Sequence, residues 1–262
     1  MLQQTLLKQR AKSTRPSLTI GISHSLEEIT EYQRLRYQVY SEEFGVTPPS
    51  AQHGIDADDL DAYCHHLLVR ESETGKVVGG YRLLTGEEAN RLGGFYSDRE
   101  FIISLSQDQR RNVLEIGRAC VHPDFRTGST IAMLWSAIVK YAFEFHCENI
   151  IGVASVSLRD GGALASSVNQ RAKQMQVQIE DASFIPRNPL PEHYLSSTSG
   201  LPRIPPLINS YLRAGAYLFE QPTWDPDFNT ADFFMMLPLK GVSDRYARHF
   251  VKAEDLQNIK PN

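Results

Sequence analysis

The sequence predicts one α/β domain built on a mixed central sheet with flanking helices, and three patterns lead to that reading. Residues 66–70 and 76–84 are strand-like and joined by Ser-Glu-Thr-Gly, which outlines an antiparallel hairpin. Residues 130–145 carry apolar side chains at 131, 134, 135, 138, 142 and 145, the spacing of an amphipathic helix. Two more strand-like runs, 112–121 and 150–156, stand before and after that helix. The second is almost wholly apolar, as a strand covered on both faces would be. Strand, helix, strand in this order makes a right-handed parallel crossover.

The elements follow in order. Lys8, Arg10, Lys12 and Arg15 precede the first acid, Glu27, so residues 1–17 read as a basic flexible tail. Such a tail is either solvated or weakly drawn to an anionic membrane, at about 1 kcal/mol per basic residue near the surface. Order is expected from Leu18. Ser25 and Glu28 have the spacing of a capping box, so a helix starts there. Its apolar stripe holds Ile29, Tyr32, Val39 and Tyr40, and Arg36 falls inside it. A guanidinium on a core-facing stripe needs a carboxylate or carbonyl partner. An acidic cluster follows: Asp56, Asp58, Asp59 and Asp61. Ser129 or Thr130 is the expected cap of the crossover helix. Residues 158–206 hold a helix pattern near 163–177 and then six of the chain's fourteen prolines, which predicts a surface insertion or lid. A helix near 207–213 and a C-terminal hairpin of 216–220 and 231–237 complete the domain at about residue 250, leaving 251–262 as a tail.

Composition excludes several classes. With 262 residues, 41% of them hydrophobic and 22% charged, the chain has ample material for a core. A net charge of -4 and a pI near 6.1 argue against nucleic-acid binding through a basic face. Cys64, Cys120 and Cys147 are too scattered for a disulfide framework, which points to a reducing compartment. No apolar run approaches the roughly 20 residues of a membrane span, and no secretory h-region is present. A cytoplasmic location is expected, with peripheral contact to the inner membrane face as the sharper reading of the basic tail.

Metal and covalent chemistry find little support. Cys64-His65-His66, Cys120-x-His122 and His146-Cys147 lack zinc-site spacing, so no metal is expected. Cys120 has no activating base nearby in sequence and reads as a buried thiol. The informative segment is Glu115-Ile-Gly-Arg118-Ala-Cys-Val121-His-Pro, followed by Arg126-Thr-Gly128-Ser129 and the crossover helix. Strict alternation puts Glu115 and Arg118 on opposite faces, and a bulge at Gly117 would bring them together. A bulged strand beside a helix N-terminus suits a phosphate-bearing carrier and a developing oxyanion. The spacing alone fits an internal ion pair equally well.

Arg36-x-x-x-Tyr40, Asp58-x-x-Asp61, Gly80-Tyr-Arg82-Leu-Leu and Glu115-x-x-Arg118-x-x-Val121 resemble acyl-homoserine lactone synthases, which have the GNAT acyltransferase fold. Leu-Glu-Ile-Gly-Arg-Ala-Cys-Val-His-Pro is more similar still to bacterial L-ornithine Nα-acyltransferases. So are residues 93–97, 205–216 and 224–232. The likeness runs from Leu18 to about Phe250, and its C-terminal part is the more diagnostic. It implies a GNAT-like sheet with a splayed parallel strand pair, about 113–121 and 150–157, and a proline-rich insertion before the C-terminal hairpin. It also implies an acyl donor, often 3-hydroxyacyl, carried on acyl carrier protein, with ornithine as acceptor and no bound cofactor. Residues 125–130 keep only Gly128 of the coenzyme A pyrophosphate loop, which fits a carrier-protein donor.

On this reading Glu115 is the base that accepts the ammonium proton, and Arg118 holds Glu115 or clamps the acceptor carboxylate. Main-chain N–H groups near 118–120 receive the oxyanion. Arg36, Tyr40, Asp58, Asp61, Arg82, Cys120 and Val121 shape the substrate site, the charged ones alternatively forming a structural network. Arg126, Gly128 and Ser129 meet the carrier or its phosphopantetheine, with Arg159 and Arg171 as further docking candidates. Two rival classes remain: a relative with another acceptor amine, S-adenosylmethionine included, and a non-catalytic acyl- or lipid-binding protein of the same fold.

Overall fold

A computed structural model describes residues 16–45, 51–52, 54–196 and 203–240. Most of the basic tail, and everything beyond residue 240, lie outside the described residues. In chain order the elements are β1 (Leu18–Ser23), α1 (Leu26–Phe44), β2 (Ala51–Gln52), β3 (Ile55–Asp56), β4 (His65–Glu71), β5 (Val77–Thr85) and α2 (Gly86–Leu92). A 3-10 turn (Tyr96–Arg99) leads to β6 (Phe101–Ser104), α3 (Gln107–Arg111) and β7 (Val113–Val121). Then come α4 (Gly128–Glu144), β8 (Asn149–Ser157), α5 (Ala163–Met175), β9 (Ser183–Pro186) and α6 (Glu192–Leu195). The last are α7 (Pro206–Ala214), β10 (Tyr217–Leu218), β11 (Thr223–Asp225) and β12 (Thr230–Pro238).

The main sheet runs β1-β4-β5-β7-β8-β12-β10, with β11 also paired to β12. Its neighbours are antiparallel except β7 and β8, which the α4 crossover makes parallel. Strand alternation sends side chains to two covered faces. Leu67, Leu114 and Phe233 pack in one core with Leu134, Trp135 and Ile138 of α4. Of their neighbours, Leu68 packs with Tyr32, Leu35 and Val39 of α1. Val113 and Phe234 pack with Phe95, Phe101 and Ile103.

Several local expectations change. Ser25 does cap α1, its hydroxyl accepting from the Glu28 N–H at 3.4 Å. The Glu28 carboxylate binds Arg70 of β4 and the Ser23 hydroxyl, so it ties the helix to the sheet and leaves the box unclosed. The crossover helix is capped by Thr127, which accepts from the Thr130 N–H at 3.2 Å, so neither Ser129 nor Thr130 is the cap. The 158–206 segment is only partly a surface excursion. Its α5 buries Ala165, Val168 and Ala172 in the main core, and β9 pairs with β6. Of the 216–220 run, Tyr217 and Leu218 pair with β12, and Thr223–Asp225 adds a further strand there.

The feature that positions the site is the parting of β7 and β8. Their pairing stops at Glu115↔Ile151, although β5 accompanies β7 to Val121 and β12 accompanies β8 to Ser157. Gly152 sits at the point of divergence, where a Cβ would lie 2.6 Å from the Ile116 carbonyl oxygen. Only glycine allows that approach.

Candidate active site

Three arginines and three aspartates form one wall of the site. Arg36 on α1 is 0% exposed. Its Nε donates to Asp56 at 2.9 Å, and its two Nη atoms donate to both oxygens of Asp61 at 3.0 and 2.8 Å. Arg82 of β5 donates to Asp61 at 2.9 Å and to Asp58. Arg118 donates to the second oxygen of Asp58 at 2.8 Å. Burial alone would raise the Asp61 carboxyl, but Arg36 and Arg82 outweigh it and hold it well below the usual carboxylate range. Against the same burial effect, Arg82 and Arg118 hold Asp58 below its ordinary value.

Beside this wall β7 bulges. Arg82 opposes Gly117 and Gly80 opposes Cys120, so Tyr81 faces both Arg118 and Ala119. The expected bulge at Gly117 therefore lies one residue later, at Arg118, which adopts φ +52. A left-handed non-glycine residue costs on the order of 1–3 kcal/mol and needs outside support. Here the Tyr32 hydroxyl donates to the Arg118 carbonyl and the Tyr40 hydroxyl to the Ala119 carbonyl at 3.1 Å. The Arg118 guanidinium is held by Asp58 and lies 4.9 Å from the centre of the Tyr96 ring.

Glu115 occupies the last position at which β7 pairs with β8 and is 5% exposed. The main-chain N–H groups of Tyr96 and Ser97 donate to its two oxygens at 2.8 Å each, and the Ser97 hydroxyl adds a third bond. Burial raises the carboxyl even so, the donors from Ser97 and Tyr96 only partly offsetting it. Arg118 does not hold Glu115, contrary to one of its expected roles. The 3-10 turn does that, and Arg118 spends its ion pairs on Asp58 and, at 3.7 Å, Asp56.

These groups open on a cleft of about 760 Å³ that passes through the gap between β7 and β8. Glu115, Arg118, Arg82, Tyr40, Cys120 and Val121 all line it. Arg36, Asp58 and Asp61 stand behind them as supports. Burial pushes the Cys120 thiol up to about 12, so it serves as an inert wall. Gly128 and Arg126 border the cleft near the N-terminus of α4. Arg126 is fastened to the Val121 carbonyl at 2.9 Å and to Glu43 at 3.0 Å, while Ser129 bonds the Thr127 hydroxyl. A second hollow of about 890 Å³, bordered by His24, His65 and Tyr141, also reaches Asp58 and Asp61 of this wall.

An acetyltransferase (GNAT) domain pattern matches residues 35–136. The L-ornithine N(alpha)-acyltransferase of Rhodobacter capsulatus is 30% identical over 247 residues, spanning 90% of this chain and 95% of that protein. The enzyme of that name from Rhizobium meliloti is 32% identical over 249 residues, spanning 89% of this chain and 84% of its own. The chain belongs to the L-ornithine Nα-acyltransferase family. It is an acyltransferase of GNAT fold. FeeM, an N-acyl amino acid synthase from uncultured soil microbes, superposes with a TM-score of 0.52 at 11% identity, over 88% of this chain and 95% of its own. The AHL synthase LasI superposes with 0.50 at 13% identity, over 86% and 91%. Both share the fold.

In this L-ornithine Nα-acyltransferase family member, sequence reasoning missed Tyr96, Ser97, Glu100, Asp225 and Asp232 as site residues. The segments that resembled the family, 93–97 and 224–232, contain four of the five, and that likeness was the available signal. Asp56, in sequence one member of an acidic cluster, is a ligand of Arg36. Among the described residues, no group of three or more His, Cys, Asp or Glu is arranged to hold a metal ion.

Proposed function

We propose that this enzyme moves a fatty acyl group, of the 3-hydroxyacyl type, from acyl carrier protein to the α-amino group of L-ornithine, giving lyso-ornithine lipid. The observation that carries the reading is the division of the cleft into two unlike halves. On the α1 face the charged groups Arg82, Glu115, Arg118 and Asp232 line it beside Val39, Phe44 and Phe228, and on the α4 face the lining includes Ile131, Trp135, Leu207, Ile208, Met235 and Leu237. A site that joins a charged amino acid to a long apolar chain needs both halves and a passage between them. Curated relatives carry the ornithine acyltransferase name over nearly the whole chain, which supports the acceptor.

In the mechanism this arrangement supports, the thioester carbonyl lies in the gap, where the edge of β7 beyond Glu115 has no strand partner among the described residues. N–H groups near 118–120 receive the oxyanion. Glu115, raised by burial, takes the proton of the α-ammonium, directly or through water. The amine then attacks, the N–C bond forms, the C–S bond breaks, and the thiol leaves with a proton. No covalent enzyme intermediate is required.

The test is expression of the full chain in a bacterium that lacks ornithine lipids, followed by mass spectrometry of the lipid extract. A new N-acylornithine is the expected product. A different acylated amine redirects the acceptor, and no new lipid sinks the catalytic reading. The carrier is acidic, so Arg126, Arg159 and Arg171 near the cleft and on α5 are its proposed contacts. Raising salt is expected to raise the KM for the acyl carrier, and a salt-independent KM counts against this docking. No helix among the described residues is long and apolar enough to cross a membrane. We place the enzyme in the cytoplasm, touching the inner membrane face through its basic segment 1–17.

A further inference from the structure

Three carboxylates outside the arginine network face the polar half of the cleft: Glu100, Asp225 and Asp232. Asp232 lies on β12, in register with Ser155 of β8 and Thr223 of β11, and is 3% exposed. Glu100 follows the 3-10 turn that holds Glu115. Asp225 is partly used within its own turn, where one of its oxygens accepts from the N–H groups of Asp227 and Phe228 at 2.9 and 3.0 Å. Asp232 Oδ1 and Glu100 Oε2 are buried and have no hydrogen-bond partner. The guanidinium of Arg118, on the same cleft, is committed to Asp58.

Two buried carboxylate oxygens without a donor are costly, on the order of 1–3 kcal/mol each. Burial, together with the charge of Asp225, raises the Asp232 carboxyl to about 6, although Ser155, Thr230 and Glu100 beside it pull it down. Burial and the facing Asp232 push Glu100 well above its usual range, against the pull of Tyr96 and Arg118. A ligand that brought a positive charge and several N–H donors would relieve both costs. The carboxylates are not disposed for a metal ion. A primary ammonium is compact, carries three donors, and fits a pair of converging oxygens.

The α-ammonium of the acceptor already has a station at Glu115, where β7 and β8 part. Asp232 is one strand further across, level with Ser155, four residues along β8 from Ile151. The cleft thus offers carboxylates at two separate places, one beside the acyl path and one beyond it. We infer that Glu100 and Asp232 form a subsite for the side-chain ammonium of the amino-acid acceptor, and that the enzyme selects dibasic amino acids through this far ion pair. The inference rests on the acceptor assignment above and adds what recognises it. A site whose buried polar groups are built for a partner rejects the analogue that lacks the partner.

The experiment uses the full chain and two acceptors with the same carbon skeleton, L-ornithine and L-norvaline, which lacks the δ-ammonium. Wild type is expected to favour ornithine by about 100-fold or more in kcat/KM, and titration calorimetry with each amino acid alone should show the same order of binding. Asp232→Asn and Glu100→Gln are expected to collapse that ratio below about 10, mainly through a higher KM for ornithine. A wild-type ratio near one, or variants that lose both acceptors equally, overturns the subsite. An enzyme that acylates both equally keeps the proposed function and loses the subsite. One that binds ornithine over norvaline yet acylates neither keeps the subsite and loses the function.

Stability gives an independent readout for the Asn variant. A carboxyl raised in the folded state destabilises increasingly as pH climbs from its unfolded value near 3.9 to its folded value of about 6. Without ligand, Asp232→Asn should therefore raise the Tm at pH 7 and change it less at pH 4. A lower Tm at pH 7 overturns the view that Asp232 awaits a cation.

Discussion

Glu115→Gln lowers kcat by about 100- to 10,000-fold while the protein stays folded, the range expected when a general base is removed. The side chain sits at the head of the gap, and its two oxygens accept from Tyr96 and Ser97. Glutamine keeps the volume and one acceptor oxygen, but its amide nitrogen then meets an N–H donor of the 3-10 turn. That mismatch costs about 1–3 kcal/mol, less than the stability of an ordinary domain. Because burial raises the Glu115 carboxyl, the wild-type rate should climb with pH as this group ionises, and the variant should lose that limb. A variant within threefold of wild type, with the pH limb intact, would leave Glu115 as an anchor for the turn alone.

Arg36→Ala has the largest expected effect on stability, about 3–5 kcal/mol, because it removes the buried forked cation that Asp56 and Asp61 share and leaves Asp61 to Arg82 alone. Arg36→Lys should rescue little, since one ammonium cannot reproduce the forked contacts to both oxygens of Asp61 and to Asp56. The midpoint of urea unfolding measures both, and a wild-type midpoint in the alanine variant would refute the buried network. Its pH dependence has a definite sign. Asp58 and Asp61 have lowered folded-state values, so their contribution is present above the unfolded value near 3.9 and fades as pH falls below it.

How much of this was legible in the sequence depended on how far apart the partners lie. Arg36 stood out because a charge interrupts a stripe of helical period, a pattern contained within a few turns. The parallel pair was legible because Ile150 and Ile151 sit in a short run apolar on both faces. The bulge was misplaced by one residue. Gly117 is the conformationally free residue, but Arg118 is held in the left-handed region by Tyr32, 86 positions away. The support of Glu115 by Tyr96 and Ser97, and the meeting of Glu100 with Asp232, join segments whose register no local pattern reports. The 158–206 segment is only partly an excursion because all six of its prolines lie at 186 or beyond, whereas Ala165, Val168 and Ala172 have the spacing of a buried helix face.

The three arginines and three aspartates of the wall cancel in charge, as do Arg126 and Glu43, so the cleft is left with the carboxyl groups of Glu115, Glu100, Asp225 and Asp232, whose full ionisation burial opposes at Glu115, Glu100 and Asp232. A positively charged acceptor is what completes their ionisation. Acylation turns the acceptor's α-ammonium into a neutral amide, so the ligand loses a positive charge at the moment the new bond forms. The electrostatic hold on product is then weaker than the hold on substrate, while the acyl chain stays in the apolar half. Acylation therefore loosens the grip at the α-nitrogen alone, and the far ion pair to the side-chain ammonium is what still holds the headgroup after the bond has formed.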